Sequence, residues 1–414
     1  MNQHTLHALL PSFFRPIAFA ALLLAQSSLS HAQNDNAAFA GGFPVAPTGL
    51  QNLPLGDGPW DYRTGEAMNI HVELVARMEY AMGMVFLPDT SLLVATRTGK
   101  LYQLKDGERR EITGGPASVF VGESGGIGSV HGYMDLALHP DFANNGYVYL
   151  SYTRPDQNLP VGIGSVGRAR WTGTELADFE LIYDTVDLNG SVSLVFGGDS
   201  KLYVTTPDRE SQSLMSRGGK VLRLNDDGSI PADNPFVNTP DALPEIYSFG
   251  HRYSLGLTTH PVTGAVWQSE NGPNGGDEIN IITAGSNYGW PKVSYGRSYN
   301  GPWEAGSPTH AGYPLPLVIW IPSVAVAGLT FYTGDTLSKW KGDLFVGSLR
   351  EGEVNGTGHL ERVLFNSNME ELRRESLLVD LHKRVRDVAQ GPDGYLYLSL
   401  EDRDGGILRI MPAP

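Results

Sequence analysis

Short apolar runs separated by tight turns recur along this chain. Each unit reads as a strand, then a turn carrying Pro or Gly and often Asp, then a second apolar or aromatic strand. Six copies are legible: Met84–Tyr102, Leu136–Thr153, Leu194–Thr206, Leu257–Ser269, Leu329–Ser348 and Val388–Leu400. The second reads LALHPDFANNGYVYLSYT and the last VAQGPDGYLYLSL. Self-similarity of this kind signals radial or solenoid repetition. Each copy supplies two strands and leaves room for two more before the next. The pattern therefore predicts an all-β fold: a six-bladed β-propeller with four-stranded blades, one domain over residues 71–412. A pair of β-sandwiches would not repeat one hairpin six times. The terminal GGILRIMP (Gly405–Pro412) predicts an outer strand that closes the ring against sequence near Val72–Val75. Helical periodicity is weak. Its best candidate is the short, charged Asn368–Leu378, and Pro231–Pro244 predicts a long loop.

Composition narrows the class. Residues 1–32 read as a secretory signal peptide: Arg15 is the only formally charged side chain, the apolar run Ile17–Ala25 follows, and Ser30-His31-Ala32 offers small residues for cleavage. That run is too short to span a membrane comfortably, and no later segment is long and apolar enough. The expectation is an exported protein, periplasmic or secreted. Residues 33–70 form a Gly/Pro/Ala-rich leader without periodicity, read as poorly ordered or draped on the surface. With no cysteine, disulfides, thiolate catalysis and Cys-ligated metals are excluded. A formal charge of -15 argues against nucleic acid or an anionic membrane as partner and suits a small neutral substrate.

Candidate chemistry gathers in two stretches. After the strand-like runs Leu257–Thr259 and Ala265–Ser269, the chain breaks into ENGPNGGDE at Glu270–Glu278. Such backbone offers carbonyls beside carboxylates and amides, the donors hard cations take. On the residues alone it reads equally as a solvated turn. In Lys383-Arg384-Val385-Arg386-Asp387, the two arginines alternate, so on a strand they share one face. They could hold an anion there, or form an exposed basic edge paired with Asp380 and Asp387.

GHR at Gly250–Arg252, ENGPNGGDEINII at Glu270–Ile282 and GSNYGWP at Gly285–Pro291 carry a resemblance. From about Val72 to Ile410 the chain resembles the soluble PQQ-dependent sugar dehydrogenases, the glucose/sorbosone or aldose sugar dehydrogenase family. The resemblance implies a PQQ- and Ca²⁺-dependent oxidoreductase. It would pass hydride from an aldose or related alcohol to PQQ, giving a lactone, and reduce an external electron acceptor. By resemblance, Arg384 and Arg386 bind the PQQ carboxylates, and Arg350 and Ser323 contact the cofactor. Arg252 lies near the quinone, beside Tyr253 where the family usually has asparagine. Gly272 and Pro273 carbonyls would hold the calcium that bridges to PQQ, and Glu278 and Tyr288 match a second, structural calcium. The family's base histidine falls on Asn189, an amide that cannot accept a proton near neutral pH. Asp208, which orients that histidine in the family, is retained. His131, in Ser-Val-His-Gly-Tyr, is the candidate for a relocated base. Two alternatives follow: a PQQ- and calcium-binding propeller with weak or lost turnover, and a calcium-dependent lactone hydrolase. The second needs side-chain carboxylates and amides round a channel metal, and the best loop offers mainly carbonyls.

Overall fold

The computed structural model describes residues 53–66, 68–120, 131–159, 161–185, 190, 192–297, 308–352 and 354–414, with two short strands, Ala38–Ala40 and Phe43–Val45. Six antiparallel sheets form a ring, a β-propeller with six blades. The innermost strands are Ala81–Phe86, Tyr133–Leu138, Leu194–Phe196, Tyr253–Thr259, Val326–Phe331 and Val385–Gln390, each beside the next round the axis. The second strands are Leu92–Thr96, Tyr147–Arg154, Leu202–Thr205, Val266–Asn271, Leu344–Ser348 and Leu396–Leu400. These correspond to the two strands of each repeated hairpin.

The second strands explain why the repeats read as continuous apolar runs. Leu92–Thr96, Leu344–Ser348 and Leu396–Leu400 are buried at every position. Each is covered on both faces by neighbouring blades, so no polar alternation is needed. The core thus lies between blades. One cluster joins Met82, Leu93 and Ala95 to Leu136, Val148, Leu150, Leu202 and Leu222. Another joins Tyr332, Phe345 and Leu360 to Val385, Leu398, Leu408 and Val72.

Ring closure is made as the terminal repeat predicts. Gly406–Pro412 pairs antiparallel with Ile70–Arg77, with Ile410 opposite Val72. Trp60–Tyr62 then adds a fifth strand to this blade. Earlier in the leader, the Leu55 N–H donates to Asp404 at 2.6 Å and Arg77 binds the carbonyls of Leu55 and Gly56.

One element differs from the sequence reading. Asn368–Leu378 is not helical: Glu371–Leu377 is the outer strand of the fifth blade, paired with His359–Phe365. Leu372 and Arg373 are exposed while Arg374 and Glu375 are half-buried, bonded to Ile319 and Arg362, and cross-strand pairing overrides a weak helical preference. Among the described residues, α-helix is confined to the single turn Phe142–Asn145.

Candidate active site

All six innermost strands point the same way along the axis. Neighbouring innermost strands approach closely: a Cβ on Gly83 would meet Asp135, one on Gly256 would meet Ala327 and Gly328, and one on Gly328 would meet Asp387. Residues just before an innermost strand, or just after a second strand, therefore share one mouth of the channel. His131, Arg252 and Arg384 precede innermost strands; Arg97, Asp208, Gly272, Arg350 and Glu401 follow second strands.

At this mouth three guanidiniums surround one buried carboxylate. Glu401 has a side chain only 1% exposed. It accepts from Arg97 at 3.0 Å, Arg384 at 3.4 Å and Arg386 at 3.5 Å. Burial opposes its charge, but the three arginines outweigh burial and hold the carboxyl below its usual range. The basic-edge reading fails: Arg386 is 4% exposed and bonds the buried Glu401. Asp387 instead faces the neighbouring blade, accepting the Met84 N–H at 2.9 Å. Asp135 accepts the Leu194 N–H at 2.9 Å. Burial, and next the Asp135 charge, push Asp387 up to about 8; burial lifts Asp135 to about 6. Beyond this layer a cavity of about 570 Å³ runs along the axis, lined by the far halves of the innermost strands.

The fourth and fifth blades build the next part of the rim. Asp277 is fully buried and organises it. Its carboxylate accepts the N–H groups of Gly272, Val324 and Ala325 at 2.9, 2.9 and 2.6 Å, and the Ser323 hydroxyl at 2.8 Å. The same hydroxyl accepts the Gly275 N–H at 2.9 Å. Ser323 is thus tied into the loop by both its donor and an acceptor. The Leu349 and Arg350 N–H groups donate to Ala325 and Val324, which lays Arg350 beside this loop. Leu349, Tyr253 and Ala325 pack in one small cluster. Pro273 lies against Gly296, and an Asn274–Arg297 bridge fixes that turn.

Arg252 occupies the expected calcium loop. Its Nη1 donates to the carbonyls of Asn271 at 2.9 Å and Gly272 at 2.7 Å. A guanidinium therefore already lies on the Gly272 oxygen, and a bridging calcium would have to share that oxygen with a positive group. Among the described residues no three His, Asp or Glu side chains are grouped to hold a metal.

Glu278 and Tyr288 are brought together, at a small enclosed space walled also by Tyr295 and Tyr313. Glu278 lies opposite Glu270 on the neighbouring strand. Burial and then the Glu270 charge push Glu278 up to about 8. Glu270 is itself committed to His251 at 2.9 Å and the Arg252 N–H at 2.5 Å. Two carboxyl groups on facing strands are oxygen donors of the kind a hard cation takes.

His131 is 1% exposed, and neither ring nitrogen meets a partner at full hydrogen-bond geometry among the described residues, although the Val161 backbone lies beside the ring. Burial, then the charge of Arg97, hold its pKa below the usual value, so the ring is neutral near pH 7. A Cβ on the adjacent Gly132 would collide with the Arg97 carbonyl, which places His131 beside the arginine cluster. Asn189 lies outside the described residues; its neighbour Gly190 sits 3.0 Å from Pro207 and 3.2 Å from the Tyr253 hydroxyl, measured from an ideal Cβ. Asp208 accepts the Ser211 hydroxyl at 2.5 Å and the Trp290 indole N–H at 2.7 Å.

Arg97, Glu401 and Trp290 are absent from the sequence reading. Aligning the copies would have found two of them, since Arg97 and Glu401 stand just past the second strand, near where Arg350 stands in the fifth copy.

Comparison with known proteins agrees with this fold. A family model for glucose/sorbosone dehydrogenase matches residues 78–409. Aldose sugar dehydrogenase YliI of Escherichia coli is 32% identical over 362 residues, covering 83% of this chain and 93% of that protein. Quinoprotein glucose dehydrogenase B of Acinetobacter calcoaceticus is 34% identical over 260 residues, 53% of this chain and 52% of that protein. The crystal structure of the soluble aldose sugar dehydrogenase from Escherichia coli in its apo-form superposes with a TM-score of 0.75 at 31% identity, covering 83% of this chain and all of that one.

Proposed function

This chain belongs to the glucose/sorbosone dehydrogenase family, and on that premise we propose that it is a PQQ-dependent oxidoreductase. Its substrate would be the anomeric hydroxyl of an aldose, or a related alcohol, and a cyclic sugar would leave as its lactone. The observation that carries this reading is the convergence of three guanidiniums, those of Arg97, Arg384 and Arg386, round Glu401 at one mouth of the channel. A tricarboxylic quinone fits that donor set, because rigid guanidinium forks bind carboxylates bidentately. Bound there, the quinone supplies a two-electron hydride acceptor.

The chain's own residues divide the remaining work. Arg97, Arg384 and Arg386 supply charge for cofactor carboxylates, with Glu401 limiting the repulsion among them. Arg350 and Arg252 flank the rim on the fifth and fourth blades, and Tyr253 lies between their segments. As hydride leaves the carbinol carbon, the hydroxyl proton must go to a base. We assign that base to His131, which is neutral near pH 7 and beside the arginine cluster. Asn189 can hydrogen-bond a sugar hydroxyl but cannot hold its proton. For calcium we assign the Glu278–Tyr288 space, with Glu270 as the second carboxylate, and the Gly272 carbonyl is given to Arg252. We read residues 1–32 as a cleaved export signal, with the enzyme working in the periplasm or outside the cell and passing electrons to an external acceptor. Among the described residues no helix is long and apolar enough to cross a membrane.

Asn189 favours a second reading, a PQQ-binding propeller without turnover. Titrating apo-protein with PQQ by absorption, then adding glucose and a dye acceptor, separates the two. Binding with dye reduction that is lost in His131→Ala supports the enzyme. Binding without dye reduction supports the second reading, and no binding overturns both.

A further inference from the structure

We propose that Trp290 is a positioning residue that aims the Arg252 guanidinium, and that Asp208 anchors the Trp290 indole. The functional half of this inference rests on the oxidoreductase reading above.

Trp290 is fixed from three sides by the third blade and the turn after it. Its backbone N–H donates to the Gly250 carbonyl at 2.8 Å, and the Gln212 amide donates to its carbonyl at 2.6 Å. Its indole N–H donates to Asp208 at 2.7 Å. Gln212 is held in turn by paired amide bonds to Asn287 at 2.9 and 3.0 Å. The ring so fixed lies under the Arg252 guanidinium, with the carbon of that group 5.3 Å from the ring centre. Through Nη1 the guanidinium bonds the carbonyls of Asn271 and Gly272. A planar cation restrained on one face by an aromatic ring and at one nitrogen by two carbonyls keeps one orientation.

This arrangement gives Asp208 a role beside the one the resemblance implies. Sequence matching makes it the partner of the residue at 189. Here one oxygen receives the Ser211 hydroxyl and the other the Trp290 indole. Asp208 is thus the outer end of an arm running through Trp290 to Arg252. The arm crosses from the third blade to the fourth, so the guanidinium is placed by both blades.

The test uses the full-length protein with Trp290→Phe, Trp290→Leu and Asp208→Asn. The first readout needs no activity: the indole N–H signal of Trp290 in a ¹⁵N-correlated NMR spectrum, identified by its loss in Trp290→Phe. It should move in Asp208→Asn. The second readout is kcat and KM with PQQ, glucose and a dye, beside melting temperature. Trp290→Phe keeps a ring face but loses the anchor, and kcat should fall about 10-fold with KM and melting temperature nearly unchanged. Trp290→Leu, which loses the face as well, should fall further. An indole signal unmoved in Asp208→Asn overturns the anchor. Native kcat in both Trp290 variants overturns the positioning role, as does a kcat loss that only follows a loss of folded protein. If native protein takes up no PQQ, the functional reading falls and the positioning role with it, while the indole signal still decides the anchor.

Discussion

Arg386→Ala separates cofactor binding from stability most sharply. The side chain is 4% exposed and its guanidinium lies 3.5 Å from a Glu401 carboxylate that Arg97 and Arg384 also hold. Two unit charges at that separation interact by about 5 kcal/mol at an effective dielectric of about 20. Little of that is lost to the folded state. Glu401 keeps two guanidiniums, and removing the third relieves cation–cation repulsion at the same site. An incoming carboxylate gains no such relief. It loses one charge-assisted hydrogen bond, worth about 1.5–3 kcal/mol, or roughly 10- to 150-fold in affinity. PQQ affinity should therefore fall by that factor while the melting temperature drops only by what the lost packing of the side-chain stem costs. The assay is absorption titration with PQQ beside thermal unfolding of the same samples. Affinity within about threefold of native would refute the reasoning, which rests on the roughly tenfold floor above. So would a stability loss matching the affinity loss.

His131→Ala should lower kcat by about 10²–10⁴-fold and leave the PQQ titration nearly unchanged, because the ring is assigned to the substrate proton and not to the cofactor. Dye reduction by native and variant protein at saturating PQQ checks this, and equal rates would exclude His131 as the base. Asp387 has a folded-state pKa raised by burial to about 8, so the folded chain holds its proton more tightly than the unfolded chain. Its contribution to stability is full below about pH 4, the ordinary carboxyl range, and is lost as pH rises through about 8. The melting temperature of native protein should therefore fall relative to Asp387→Asn as pH rises from 5 to 9; parallel curves would contradict the assignment. Glu278, also raised to about 8, should release its proton when a cation enters its space. Calcium added at pH 7 should raise the melting temperature and release protons into weak buffer, and Glu278→Gln should abolish both effects; the same response in native and variant protein would rule the site out.

Hydrophobic patterning determined the ring by itself. Strands buried on both faces must be apolar at every position, so the second strand of each blade is legible as a continuous run, as in Leu344–Ser348 and Leu396–Leu400. Copying that hairpin six times leaves closure as the natural way to cover every apolar face, and Gly406–Pro412 against Ile70–Arg77 follows. Arg384 and Arg386 reach the same carboxylate, although Arg384 precedes the strand and a register shift falls at Arg386. What patterning could not supply is which distant residues meet. Arg97 and Glu401 stand 304 positions apart and bond only because closing the ring sets the first blade against the last. Their charges alone are compatible with solvent, so nothing local marks them. Glu371–Leu377 is a strand for a similar reason: its neighbour, not its composition, completes its hydrogen bonds. In the loop after the fourth blade's second strand, the residues were legible as carbonyl-rich. Only packing decided that a guanidinium fixed by Trp290 lies on Gly272, because that contact needs the third blade to deliver Asp208 and Gln212 to one ring.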